Sequence, residues 1–303
     1  NGNEVVAPNN FAFDSEGNII SVNTVFGVTE NTGTTYDGAT PRIRAFTPLD
    51  AGMSTATLTF SIQDVGDSGW DSAVFLDNLG FGSGVGCDAG AFVDSDNDGL
   101  LDDWETNGID VDGDGTVDLW LQDMGADPQR KDIFVEVDYM ADNSVGGKNL
   151  KPNQTAIDMV VAAFAAAPVA NPDGSTGITL HVDNGPDSTM IPAVNGTPAQ
   201  TWGGMSAQTE LPYQETIGSS NEATGYNWSE FDVLRNTNFP INRRDVFHYN
   251  VWANKLGGRD TTSGIARGIP SGDFFVTLGG WLVPGGTVNQ QAGTFMHELG
   301  HNL

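Results

Sequence analysis

Asp132-Ile-Phe-Val-Glu-Val-Asp-Tyr139 reads as a β-strand, and the grammar of the chain changes at Lys131, just before it. Downstream, residues 153–166 predict a helix, opened by the Pro152/Asn153 start signal and closed at Pro168. Gly177-Ile-Thr-Leu-His-Val-Asp183 predicts a second strand, and residues 246–253 and 274–278 predict two more. Residues 184–230, rich in Gly, Thr, Asn and Pro, read as long surface loops, and residues 289–303 open a final helix. A strand–helix–strand unit followed by strands and a helix makes residues 131–303 an α+β or α/β domain.

Upstream the pattern is different. Residues 1–86 read as all-β, with short alternating runs at 19–22, 24–28, 42–46, 55–62 and 73–81 between Gly, Asn and Asp turns. In Thr55-Ala-Thr-Leu-Thr-Phe-Ser-Ile62, Ala56, Leu58, Phe60 and Ile62 share one face, the pattern of a β-sandwich. Residues 87–130 read as an acidic linker that begins in a Gly-rich stretch holding Cys87. The expected organisation is therefore multidomain: sandwich, acidic linker, then the mixed α and β domain.

Composition narrows the partners. The 303 residues carry 12 Lys+Arg against 40 Asp+Glu, a net charge of -28, which argues against nucleic acid or an anionic membrane. Hydrophobic residues at 38%, with 7 Trp and 16 Phe, suffice for packed cores. The single Cys cannot build a disulfide framework. No apolar run approaches the ~20 residues of a transmembrane helix; the longest, residues 159–167, stops at Pro168. The chain starts at Asn1 with no initiator Met and no leader, so a signal peptide is expected to be removed or to lie upstream, and it ends inside a predicted helix; it reads as an excised piece of a longer soluble protein.

Thr294-Phe-Met-His-Glu-Leu-Gly-His301 contains H-E-x-x-H. Histidines at i and i+4 lie one helical turn apart, so His297 and His301 can both reach one zinc ion. Glu298 beside them can take a proton from an activated water. Ala292, Phe295, Met296, Leu299 and Leu303 form the expected core stripe of this helix.

Asp94-Ser-Asp-Asn-Asp-Gly-Leu-Leu-Asp-Asp-Trp-Glu105 fits the twelve-residue calcium loop at every defining position. Asp94, Asp96 and Asp98 offer carboxylates, Leu100 its carbonyl, Asp102 the ninth position and Glu105 a closing bidentate carboxylate. Asp110-Val-Asp-Gly-Asp-Gly-Thr-Val-Asp118 repeats the first nine positions, with Asp110, Asp112, Asp114, Thr116 and Asp118 as candidate ligands. Its twelfth position is Leu121, so this loop is incomplete unless Asp123 or a neighbour substitutes. A solvated acidic linker is the plainer alternative, but the regular spacing and the placed glycines argue for calcium. Calcium would stiffen the connector where disulfides are absent.

These motifs carry resemblances. His297-Glu-Leu-Gly-His-Asn-Leu303 resembles the start of the metzincin signature, in the H-E-x-G-H-N-L form of reprolysin-like and gametolysin-like peptidases. That resemblance implies a secreted zinc endopeptidase with His297 and His301 as zinc ligands and Glu298 as catalytic base. It also implies a tight packing need at Gly300, and a third His and a Met-turn that would fall beyond Leu303. Residues 274–278 resemble the edge strand on which such enzymes lay an extended substrate. The tandem acidic loops, only four residues apart, are similar to those of thrombospondin type 3 repeats. Thr35-Tyr-Asp-Gly-Ala-Thr40 with residues 64–77 resembles part of a choice-of-anchor β-sandwich of bacterial extracellular proteins, which implies a cell-surface or matrix ligand.

Other residues read as ordinary. His181 and His248 fit structural histidines on strands, Cys87 a free thiol, and Arg243-Arg244 an isolated basic pair. Asp64, Asp67 and Asp71 fit a tight polar turn better than a further calcium site. The rival to the peptidase is a calcium-dependent extracellular adhesion protein with an inactive zincin-like domain. A third reading is a zincin of another class, with a Glu ligand further downstream.

Overall fold

The computed structural model describes residues 93–303, except Gly113, Met190, residues 194–197, Gln208 and residues 222–224. The expected sandwich over residues 1–86, Cys87 and the Asp64–Asp71 turn lie outside the described residues. What is described is a mixed α/β fold with a mostly parallel sheet and four α-helices.

In chain order the helices are α1 (Asp102–Asn107), α2 (Gln154–Ala165), α3 (Ser229–Asn238) and α4 (Val288–Asn302). The strands are β1 (Asp132–Ala141), β2 (Thr179–Asp183), β3 (Glu210–Pro212), β4 (Ser219–Asn221), β5 (Gly225–Asn227), β6 (Phe247–Trp252), β7 (Gly264–Ala266) and β8 (Asp273–Val276). The main sheet runs β2-β1-β6-β8-β7, with β3 extending the far end of β1. All pairings in it are parallel except β7 against β8. β4 and β5 form a separate hairpin.

The central strand β1 is buried along almost its whole length, as a parallel strand covered on both faces must be. Side chains alternate between faces. Val135 and Val137 of β1, Val182 of β2 and Phe274 and Val276 of β8 point to the face covered by α2 and α4, where Phe295 of α4 packs 5.6 Å from Phe274. α2 starts where Asn153 accepts a hydrogen bond from the Thr155 N–H, and it buries Ala156, Ile157, Val160 and Phe164. α4 starts in a capping box, with Thr287 N–H donating to Gln290 and Gln290 N–H donating back to the Thr287 hydroxyl.

The opposite face is charged and yet buried. Glu136 and Asp138 of β1 and Asp183 of β2 have no exposed surface. Arg243 donates to Glu136 at 3.0 Å and to Asp183 at 2.6 Å, and its guanidinium lies 4.7 Å from the Phe247 ring centre. The Tyr249 hydroxyl donates to Asp138 at 2.5 Å. From α3, Phe231 packs edge-on against Phe275 of this face at 4.8 Å.

Three expectations are corrected here. Residues 184–230 are not simply surface loops: Trp202 is fully buried and donates its indole N–H to the Val182 carbonyl. Arg243 is no isolated surface cation, because it holds the buried carboxylates together. Residues 274–278 do not supply the sheet edge, since β8 is paired on both sides and, among the described residues, β7 is the last strand on that side. No helix among the described residues is long and apolar enough to cross a membrane.

Candidate metal centres

Helical spacing does for α4 what the motif demands. His297 and His301 turn their Nε2 atoms toward each other at 3.1 Å, with the rings nearly perpendicular at 84°. Two imidazole nitrogens on one tetrahedral zinc, each at ~2.0–2.1 Å, would lie ~3.3 Å apart. The spacing of the pair is therefore close to that of two ligands on one zinc. His297 is exposed and His301 half-buried, so the spot they share is open to an incoming ligand.

Glu298, between the two histidines in sequence, is buried. It is only 5% exposed, yet it offers an oxygen within 4.8 Å of both histidines' ligand atoms. Burial raises its carboxyl above the usual carboxylate range, while His297 and a hydrogen bond from the Ala266 N–H oppose the lift. A raised carboxyl that still faces a metal position is suited to collecting a proton. The stripe on α4 is narrower than expected: Ala292, Phe295 and Leu299 are buried, but Met296 is 45% and Leu303 55% exposed. Nor is Gly300 tightly packed, since a Cβ there would meet nothing within 4 Å.

The two acidic loops share one internal design. In the first, Asp94 accepts from the N–H groups of Asp98 and Gly99, Asp96 from Asp98, and Asp98 from Leu100. In the second, Asp110 accepts from Asp114 and Gly115, Asp112 from Asp114, and Asp114 from Thr116. The sixth residues, Gly99 at φ 98° and Gly115 at φ 89°, adopt the left-handed backbone that the sharp turn requires. Both ninth residues serve the loop itself: Asp102 accepts from the N–H and hydroxyl of Ser95, and Asp118 from the Val111 N–H.

Their closures differ. Glu105 is 1% exposed and neither of its oxygens has a hydrogen-bond partner, as is true of Asp96 Oδ2. Such orphaned buried oxygens are what a cation would satisfy. Burial, reinforced by the neighbouring carboxylates, pushes Glu105 up to about 10. Burial likewise lifts Asp98 to about 7 and Asp96 to about 6. In the second loop Asp110, Asp112 and Asp118 converge but are exposed, Leu121 at the closing place lies in the core, and Asp123 is exposed outside the group. The first loop is thus built for an ion more completely than the second.

Sequence reasoning passed over two residues that the structure brings to these centres. Asp132, at the start of β1, offers a carboxylate oxygen within 4.8 Å of ligand atoms of Asp98 and Glu105. Gly264, on β7, lies directly against Glu298. Neither belongs to a local motif; the one available signal was an acidic residue opening a strand otherwise destined for burial. His181, read as structural, is buried with its Nε2 2.6 Å from Asp132. Comparison with family models, with curated proteins and with solved structures returns no match for this chain.

Proposed function

We propose that this chain carries the active-site helix of a secreted zinc-dependent endopeptidase of metzincin-like fold, supported by calcium in its acidic loops. The observation that carries the reading is the convergence of His297 and His301 Nε2 at 3.1 Å with Glu298 beside them, next to the outermost strand of the sheet. His297 and His301 would hold zinc, which supplies a Lewis acid at a scissile carbonyl when bound. A further protein ligand is needed for a three-ligand catalytic site, and the resemblance puts it after Leu303.

The chain's own residues divide the remaining work. β7 offers an extended peptide a strand to pair with, beside Glu298. Glu298 takes a proton from the attacking water and delivers it to the leaving amine. Phe295, Leu299 and the sheet beneath them make α4 a rigid platform, which positions the base better than a loop would.

The test is casein hydrolysis by the full-length protein beside its Glu298→Ala variant, each with and without a zinc chelator. The reading expects zinc to stay bound in the variant while hydrolysis falls by roughly 10²–10⁴-fold. Retained hydrolysis in Glu298→Ala, or in the chelated protein, would overturn it. A zinc-loaded, folded, inactive wild type would favour the calcium-dependent adhesion protein instead.

A further inference from the structure

We infer that Asp132 of β1 is a calcium ligand together with Asp98 and Glu105, so that one ion ties the first acidic loop to the central strand of the sheet. The inference rests on the first loop being a calcium site, and it adds a ligand from outside the loop.

Four observations carry it. The ligand oxygens of Asp98, Glu105 and Asp132 all lie within 4.8 Å of one another. Oxygens on opposite sides of one calcium ion, each at 2.3–2.6 Å, are separated by up to ~5 Å. Glu105 is almost fully buried, aims into this group and has no partner on either oxygen. Asp132 is 2% exposed and already held in place: Oδ1 lies 2.6 Å from His181 Nε2, and Oδ2 accepts from the Asp127 N–H at 2.9 Å. Carboxylates that bind metals are commonly steadied in this way, and each oxygen keeps a lone pair for the ion.

The two segments are also in register before any ion arrives. The Asp132 N–H donates to Asp98 Oδ2 at 2.7 Å, and the Lys131 ammonium donates to the Asp96 carbonyl. That lysine therefore meets the loop at a backbone oxygen, and the carboxylates of Asp98, Glu105 and Asp132 are left to repel one another. An all-oxygen, all-anionic donor set in irregular array suits calcium rather than zinc or copper. The second loop lacks this connection: its carboxylates are exposed, and Leu121 stands where a closing acid would be. Calcium at the first loop would thus brace β1 at its first residue, and through His181 the neighbouring β2, whereas calcium at the second would act only locally.

Calcium titration calorimetry and thermal melts of the full chain, in calcium and in a calcium chelator, test this. Wild type should show a tighter and a weaker site. Glu105→Gln and Asp132→Asn should each weaken the tighter site by at least roughly tenfold and remove most of the calcium-dependent rise in Tm. Asp112→Asn should affect only the weaker site. If Asp132→Asn leaves the tighter site unchanged while Glu105→Gln abolishes it, the loop binds calcium by itself and the inference falls. Absence of any tight site in wild type overturns both the inference and the calcium reading of the loop, while leaving the hydrolysis test of the peptidase untouched. Should Asp132→Asn fail to fold, terbium located by anomalous scattering in wild-type crystals decides. An ion at about 2.3–2.6 Å from an Asp132 oxygen supports the site, and one more than about 4 Å away overturns it.

Discussion

A Cβ placed on Gly264 would lie 2.7 Å from Cγ of Glu298 and 2.6 Å from the carbonyl oxygen of Phe275. The buried carboxylate therefore fits under β7 because that strand has no side chain at this position. The requirement is one of close approach: Gly264 pairs regularly with Val276 across the β7–β8 ladder.

Gly264→Ala should displace either Glu298 or the β7 backbone, since neither obstacle is the free end of a flexible side chain. Overpacking of this kind costs about 1–3 kcal/mol. Hydrolysis by the full-length protein is expected to drop while zinc content stays at the wild-type level. Full activity in a stable Gly264→Ala protein would show that Glu298 does not depend on this contact.

His301→Ala removes one of two converging nitrogens from a half-buried surface position. Stoichiometric zinc should be lost on dialysis, as read by atomic absorption, with little change in helix content by circular dichroism. Zinc retained by the variant would point to a ligand set that excludes this histidine.

Arg243→Met leaves Glu136 and Asp183 buried without their shared cation. Removing one partner of a buried ion pair destabilises by about 3–5 kcal/mol. Urea unfolding followed by tryptophan fluorescence should show this, because Trp202 lies 5.6 Å from the guanidinium. A midpoint close to wild type would mean that the carboxylates find other partners.

Burial raises the Asp138 carboxyl to about 7, and the hydrogen bond from Tyr249 opposes that lift. In the unfolded chain the same group titrates near ~3.9, so at intermediate pH the folded state holds a proton that the unfolded state has released. The stability from this group is fully present below the unfolded value and is lost as pH rises through about 7. Denaturation midpoints in saturating calcium should therefore fall between about pH 5 and about pH 8, and Asp138→Asn should flatten that decline. An equally steep decline in the variant would assign it to other groups.

Much of the architecture was legible before the fold was seen, because it is written in local spacing. Asn153 and Thr287 cap α2 and α4 within a residue or two of the predicted starts. The strands at 132, 179, 247 and 273 begin close to where the patterns put them. α3 and β7 were not anticipated. α3 is polar apart from a few residues and is held by Phe231 against the sheet. β7 is three residues long and exists by pairing with β8.

The same division runs through the candidate sites. An i, i+4 spacing is enough to bring His297 and His301 together, and a twelve-residue pattern is enough to shape the loop of Asp94–Glu105, since both depend on neighbours along the chain. Only the tertiary structure brings Asp132 to Glu105, Gly264 to Glu298, and Arg243 to Glu136 and Asp183, or makes β7 the outermost strand. Those relationships join residues far apart in sequence, and what decides them is how the strands order themselves to bury their apolar faces. No local periodicity encodes that order.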